Sequence, residues 1–266
     1  IFFRVCPHNA PRATPPGQPD AVTARAPGSA AESSNRPLHV GMYETRSYWD
    51  ARYTQDGDGC YDWYLEFESC FNLLPDHIHG NKDSQILITG CGNSKVGPLF
   101  HAAGFKNVVN IDFSAIVIEK MKERCSHCPG MQWIAMDVTN MHWTPLYFDL
   151  VLDKGTWDAV AYRRDQDQIK RMLWHILRVL KVGGTYVLIT SWAPPDCLPY
   201  LTLLEPFWDV DHRAAGWFAV YKVTKRRHPP HTLCLQSMEP NPHSVHALCA
   251  GMEVLLLNLG QDGPSG

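Results

Sequence analysis

Apolar positions along this chain change their period repeatedly, and the changes mark out alternating strands and helices. Gln85-Ile-Leu-Ile-Thr-Gly90 is a short β-favouring run ending in glycine, the pattern of a strand buried on both faces. Comparable runs predict strands at 85–90, 107–111, 131–135, 147–152, 184–190 and 216–223. Between them the spacing lengthens to three and four residues, predicting helices at 95–104, 114–125 and 166–180. The third helix carries Ile169, Leu173, Ile176 and Leu180 on one face, and Lys181-Val-Gly183-Gly184 stops it. Upstream, Trp63, Phe67 and Phe71 at four-residue steps predict a further helix packed on the core. Strands alternating with helices predict an α/β fold, a parallel sheet covered on both faces.

The periodic segments all lie between about residues 41 and 225, which predicts one domain there. Residues 1–40 are rich in Pro, Ala, Arg and Ser, with Asp20 and Glu32 as the acids. Such a stretch cannot bury a face, so a disordered leader is expected, with a composition that also suits an organelle transit peptide. Residues 226–266 hold Pro and His and one apolar run at 252–257, and are expected to form a flexible tail.

Composition narrows the function classes. Hydrophobic content of 45% and charged content of 19% describe an ordinary globular chain. A net charge of -3 gives no electrostatic footprint for nucleic acid, and Lys225-Arg-Arg-His228 reads as a strand end in water. Nine cysteines without regular spacing point to reduced thiols in an intracellular compartment. The cytoplasm is expected, with the mitochondrion as the alternative offered by the leader. Cys125-Ser-His-Cys128 is half of a zinc site and finds no second pair, so no metal is expected. No apolar run approaches the ~20 residues that span a bilayer, so no membrane partner is expected.

Candidate chemistry sits where the first strand meets its turn. Gly90-Cys-Gly92-Asn-Ser94 follows the strand directly, and a second short strand ends in Asp112. Glycines there let backbone approach a nucleotide cofactor, and a carboxylate at that place accepts from both ribose hydroxyls. A dinucleotide fingerprint needs a third glycine or alanine three positions on, where this chain has Lys95. The spacing therefore favours S-adenosyl-L-methionine, which has no pyrophosphate to bring against the helix N-terminus.

The stretch from Tyr43 to Lys225 resembles the seven-strand S-adenosylmethionine-dependent methyltransferases. Within them it is similar to the protein-lysine methyltransferases that act on elongation factor 1-alpha or citrate synthase. The likeness is carried by Tyr48-Trp-Asp-Ala-Arg-Tyr53, Tyr61-Asp-Trp63, Gly90-Cys-Gly-Asn-Ser94, Asp112-Phe-Ser114 and Met136-Asp-Val138. Leu152-Asp-Lys-Gly-Thr-Trp-Asp-Ala159 and Arg178-Val-Leu-Lys-Val-Gly-Gly184 complete it. The resemblance implies a Rossmann-like, doubly wound, mostly parallel seven-stranded sheet and transfer of a methyl group to a lysine of a protein such as elongation factor 1-alpha. A monomer is expected. It also implies that Trp49, Tyr53 and Tyr61 lie over the methionine end of the cofactor, with Gly90 and Gly92 giving close backbone approach. Asp112 would take the ribose, Phe113 would flank the adenine, and Asp137 with the Val138 amide would read its edge. Lys154, just past the fourth strand, matches a cofactor-contact position, through its backbone. Asp153, Trp157 and Asp158 are the acceptor-side candidates, with Trp157 and Trp192 walling the channel. The chain departs from many methyltransferases at Thr89, where an acid is common, and its segments after Ala161 and over 193–215 are short. Alternatives on the same fold are a small-molecule or RNA methyltransferase and a non-catalytic cofactor-binding protein.

Overall fold

Strands β1 (Gln85–Thr89), β2 (Asn107–Asp112), β3 (Gln132–Ala135), β4 (Phe148–Lys154), β5 (Leu180–Thr190), β6 (Trp208–Ala215) and β7 (Phe218–Lys225) form one sheet in a computed structural model, which describes residues 43–56 and 59–230. Their order is β3-β2-β1-β4-β5-β7-β6; neighbours among β1 to β5 run parallel, and β7 is antiparallel to both β5 and β6. The expectations for the leader and for residues 231–266 lie outside the described residues.

Alternation along each strand sends successive side chains to opposite faces. Ile86 and Ile88 of β1 join one core and Leu87 the other; Val187 and Ile189 of β5 are likewise separated from Tyr186 and Leu188. Helices α1 (Arg46–Gln55), α2 (Phe67–Asn72), α3 (Asp76–His79), α4 (Val96–Ala102) and α5 (Ala115–Arg124) contribute to the first face through Tyr53, Cys70, Ile78, Phe100 and Met121. Helices α6 (Thr156–Ala161), α7 (Gln166–Val179) and α8 (Pro194–Leu201) cover the second. The predicted apolar stripe of α7 is buried there at Ile169, Leu173 and Ile176, joined by Met172 and Leu177.

Four expectations are corrected. Trp63 is not helical: α2 starts at Phe67, Tyr64 sits at φ +62°, and the Trp63 carbonyl accepts from Lys154 Nζ at 2.9 Å. Tertiary hydrogen bonds have replaced the helical ones. Strand β6, Trp-Asp-Val-Asp-His-Arg-Ala-Ala, escaped the pattern because Asp209, Asp211, His212 and Arg213 break its apolar run, as befits an edge strand. Its hairpin turn uses Gly216 at φ +68°, so β7 begins at Phe218 rather than 216. β5 begins at Leu180, paired with Phe148, and its register to β4 shifts before Thr185 pairs with Leu150. Finally, Lys225 is not a strand end in water. It is 1% exposed, and its ammonium donates to Leu177 O and Leu180 O at 2.7 and 2.6 Å, closing the C-terminus of α7.

Candidate active site

Strand order reverses between β1 and β4, which lead to opposite sides of the sheet, and ligands of open α/β sheets bind outside the strand ends at such a crevice. A cavity of about 520 Å³ opens there, within the range of small-molecule sites. Its floor is the loop after β1 together with the ends of β2 and β4, and its opposite wall comes from α1 and the segment that follows it.

The loop is shaped by two glycines in the left-handed region, Gly90 and Gly92, each at φ +50°. A Cβ on Gly90 would run into the Thr156 side chain, and one on Gly92 would stand 2.8 Å from the Tyr53 hydroxyl. Both positions therefore need glycine on conformational and steric grounds. Asp112, only 4% exposed, fixes the loop from below: Oδ2 accepts from the Gly92 amide at 3.0 Å and Oδ1 from the Ser114 amide at 2.9 Å. Burial raises its carboxyl to about 6, against the opposing pull of the Ser114 and Gly92 amides. Each oxygen keeps a lone pair, so the group can still accept from a diol.

Phe113, Asp137 and Val138 line the same cavity, where the Arg46 guanidinium lies 5.8 Å from the Phe113 ring centre. Asp137 Oδ1 is engaged locally by the Thr139 amide and hydroxyl, both at 2.8 Å. Across the cavity Trp49 stacks on Tyr53 at 5.6 Å, and Tyr61 meets Trp63 edge-on at 4.9 Å. Arg52 projects among these rings, 5.4 Å from Trp49, 5.3 Å from Tyr61 and 5.4 Å from Trp63. Lys154 completes the set. The ten residues expected around a cofactor are thus brought to one cavity. Lys154 closes β4 rather than following it, and its ammonium pairs with Asp62 at 3.0 Å.

The acceptor-side expectations fare differently. Asp153 and Trp157 are fully buried beneath the floor and line no part of the cavity. Asp153, on β4 itself, accepts from the Thr156 and Trp157 amides at 2.9 and 3.2 Å and from the Tyr186 hydroxyl at 3.2 Å. It caps α6, and burial lifts its carboxyl to about 7. Trp157 is a core residue packed on Trp192 and Tyr200, so neither tryptophan walls a channel from this cavity. Helical spacing explains the outcome, since Thr156, Ala159 and Val160 of α6 face the cavity and Trp157 and Asp158 turn away from it. Asp158 Oδ1 accepts from the Ser191 amide and hydroxyl at 3.1 and 2.6 Å. Its buried Oδ2 has no hydrogen bond of good geometry, although the Tyr64 phenol lies against it.

Sequence reasoning missed several lining residues, among them Glu44, Arg52 and Thr156, and an ion pair from Glu44 to Arg163 at 2.6 Å. Arg52 had a signal, one helical turn beyond Trp49. Glu44 and Arg163 meet only through the tertiary fold. Among the described residues no group of three His, Cys, Asp or Glu could hold a metal, and no helix is long and apolar enough to cross a membrane.

A family model described as a methyltransferase domain matches residues 86–184. The eEF1A lysine and N-terminal methyltransferase of Bos taurus is 37% identical over 147 residues, covering 54% of this chain and 21% of that protein. The chain thus spans about a fifth of the length of that relative. The EEF1A lysine methyltransferase 4 of Bos taurus is 31% identical over 200 residues, 71% of this chain and 77% of that one. In fold, the N-methyltransferase NodS from Bradyrhizobium japonicum WM9, solved with S-adenosyl-L-homocysteine, superposes with a TM-score of 0.52 at 16% identity, covering 68% of this chain and 98% of that one. With its strand order and its match to more than two-thirds of EEF1A lysine methyltransferase 4, the chain belongs to the seven-stranded S-adenosylmethionine-dependent methyltransferases, in the eEF1A lysine methyltransferase family.

Proposed function

We propose that this protein transfers a methyl group from S-adenosyl-L-methionine to a lysine side chain of a protein substrate of the eEF1A type. The observation that carries the reading is the single cavity in which the Gly90–Gly92 loop, Asp112 and the Trp49–Tyr53–Tyr61 rings converge. The residues suit the cofactor: Asp112 retains acceptor capacity for the ribose hydroxyls, Phe113 offers a face to the adenine, and Asp137 with Val138 borders its edge. Arg52 supplies a cation to the amino-acid end, fitting a carboxylate. When bound, S-adenosylmethionine supplies an electrophilic methyl on a sulfonium cation.

The chain's own task is alignment and exclusion of water. Electron-rich faces of Trp49 and Tyr61 favour a cation beside them. An acceptor lysine must lose its proton before it can attack, and its free pKa of ~10.4 opposes that at neutral pH. Burial against the aromatic wall lowers that value. Of the two carboxylates expected on the acceptor side, Asp153 is committed to capping α6. Asp158 keeps an oxygen free of well-formed hydrogen bonds, and its neighbour Tyr64 packs on Gly155 at the cavity's edge. Because Asp158 turns away from the cavity, neither carboxylate is placed to take the proton of an acceptor bound there.

The test is to incubate the purified protein with tritiated S-adenosylmethionine and cell lysate, then identify the labelled species. Label on lysine of a protein supports the reading. Label confined to RNA or small molecules, or no transfer, rejects it.

A further inference from the structure

Two of the cavity's rings, Tyr61 and Trp63, stand on a segment without regular secondary structure, residues 59–66. Such a segment needs anchors from outside to hold a fixed place. Asn93 Nδ2 donates to the Gly59 carbonyl at 2.9 Å at its start, and its central anchor, between the two rings, is Asp62. Oδ1 accepts from the Ser94 hydroxyl and from Lys154 Nζ at 3.0 Å, and Oδ2 accepts from the Lys95 amide at 3.3 Å. The same ammonium donates to the Trp63 carbonyl at 2.9 Å. Three parts of the chain meet at this one carboxylate: the aromatic segment, the loop after β1 and the end of β4. The pair is sheltered, with side chains 7% exposed at Lys154 and 21% at Asp62; the surface pair Lys106–Asp83 has 69% and 70%. Charge-assisted bonds count for more under such shelter than at an open surface.

We infer that Asp62 is a positioning residue of the cofactor site. Its carboxylate clasps the Tyr61–Trp63 segment onto the glycine loop and Lys154, and so holds the aromatic wall closed. Lys154 then serves the site through its bond to Asp62, its charge already committed. The inference rests on the reading of the cavity as an S-adenosylmethionine site.

The test compares wild type with Asp62→Ala, Asp62→Asn, Lys154→Met and the Asp62→Ala/Lys154→Met double variant. S-adenosylhomocysteine affinity is measured by calorimetry, its release by stopped-flow tryptophan fluorescence, and hydrogen exchange of residues 59–66 in the ligand-free protein. Asp62→Ala is expected to lose roughly tenfold or more in affinity, mainly through faster release, since an unclasped segment opens the wall and lets the ligand out. It should also speed exchange across 59–66. Asp62→Asn keeps an acceptor for the Lys95 amide without the charge, and should fall between. The double variant should lose clearly less than the product of the single losses, close to the larger of the two, because one clasp is removed once; a loss equal to the product counts against a shared clasp. Thermal unfolding checks that each variant folds; should Asp62→Ala not fold, Asp62→Asn carries the test. Affinity within twofold of wild type, with unchanged exchange, in a folded Asp62 variant overturns the clasp. A wild-type protein that does not bind S-adenosylhomocysteine overturns the cofactor reading instead, and exchange in the free protein still tests the clasp.

Discussion

Asp112 is an acid whose ionisation the cofactor should sense. Burial places its carboxyl at about 6, two backbone amides opposing the shift. If the ribose hydroxyls bind the ionised form, about one molecule in eleven is competent at pH 5, and nearly all are at pH 8. Affinity for S-adenosylhomocysteine should therefore fall about tenfold between pH 8 and pH 5, with its midpoint near 6. Stability runs the other way. The folded value lies above the ordinary carboxylate value of 3.8, so the folded state holds this proton more tightly than the unfolded chain does. The stabilisation from Asp112 is complete below 3.8 and is lost as pH rises through about 6. A rise in affinity over that window consequently cannot be a by-product of a better folded protein. Asp112→Asn should bind about 1.5–3 kcal/mol more weakly, the scale of losing hydrogen bonds to a charged group, and its residual affinity should not change between pH 5 and 8. Calorimetric titration at constant ionic strength reads both effects. Wild-type affinity in the Asn variant, or the same midpoint in both proteins, refutes the assignment.

Three further outcomes are expected. Gly90→Ala should cost about 1–3 kcal/mol in urea unfolding, because it forces a side chain into a left-handed position against Thr156, and should remove cofactor binding. Trp157→Ala should cost about 3–5 kcal/mol of stability, with cofactor affinity of the folded fraction unchanged. Trp157→Phe should be milder, since it also removes an indole N–H that has no partner. Asp153→Asn keeps an acceptor for both α6 amides, so turnover should stay within about threefold, where loss of a general base costs ~10²–10⁴. Because burial holds the Asp153 carboxyl at about 7, wild type should lose stability as pH rises from the ordinary carboxylate value of 3.8 through 7, and the Asn variant should lack that slope.

The sheet was legible in the sequence where burial on both faces leaves a continuous apolar run, as in Ile86-Leu-Ile88 and Leu150-Val-Leu152. It was illegible at β6, whose polar edge residues carry little apolar signal. The glycine loop and Asp112 could be read because their chemistry depends on backbone freedom and on a position at a strand end, both of which are local. The acceptor side could not. Whether Trp157 faces a cavity or a core depends on the rotation of α6 about its axis, set by Gly155 at φ +92° and by the cap from Asp153. Asp62 was hidden for another reason: its partners Ser94, Lys95 and Lys154 lie 32 to 92 residues away, and no local pattern records such a meeting.

A reconstituted reaction decides whether this protein methylates a lysine of elongation factor 1-alpha. Purified protein, S-adenosylmethionine and unmethylated elongation factor 1-alpha are combined, and the factor is mapped by peptide mass spectrometry, with Asp112→Ala as the binding-deficient control. Wild type is expected to methylate a lysine side chain, with the product growing over time and strongly reduced in the control. An unmodified factor, a methyl group found solely on its N-terminal amine, or equal modification by the control contradicts it.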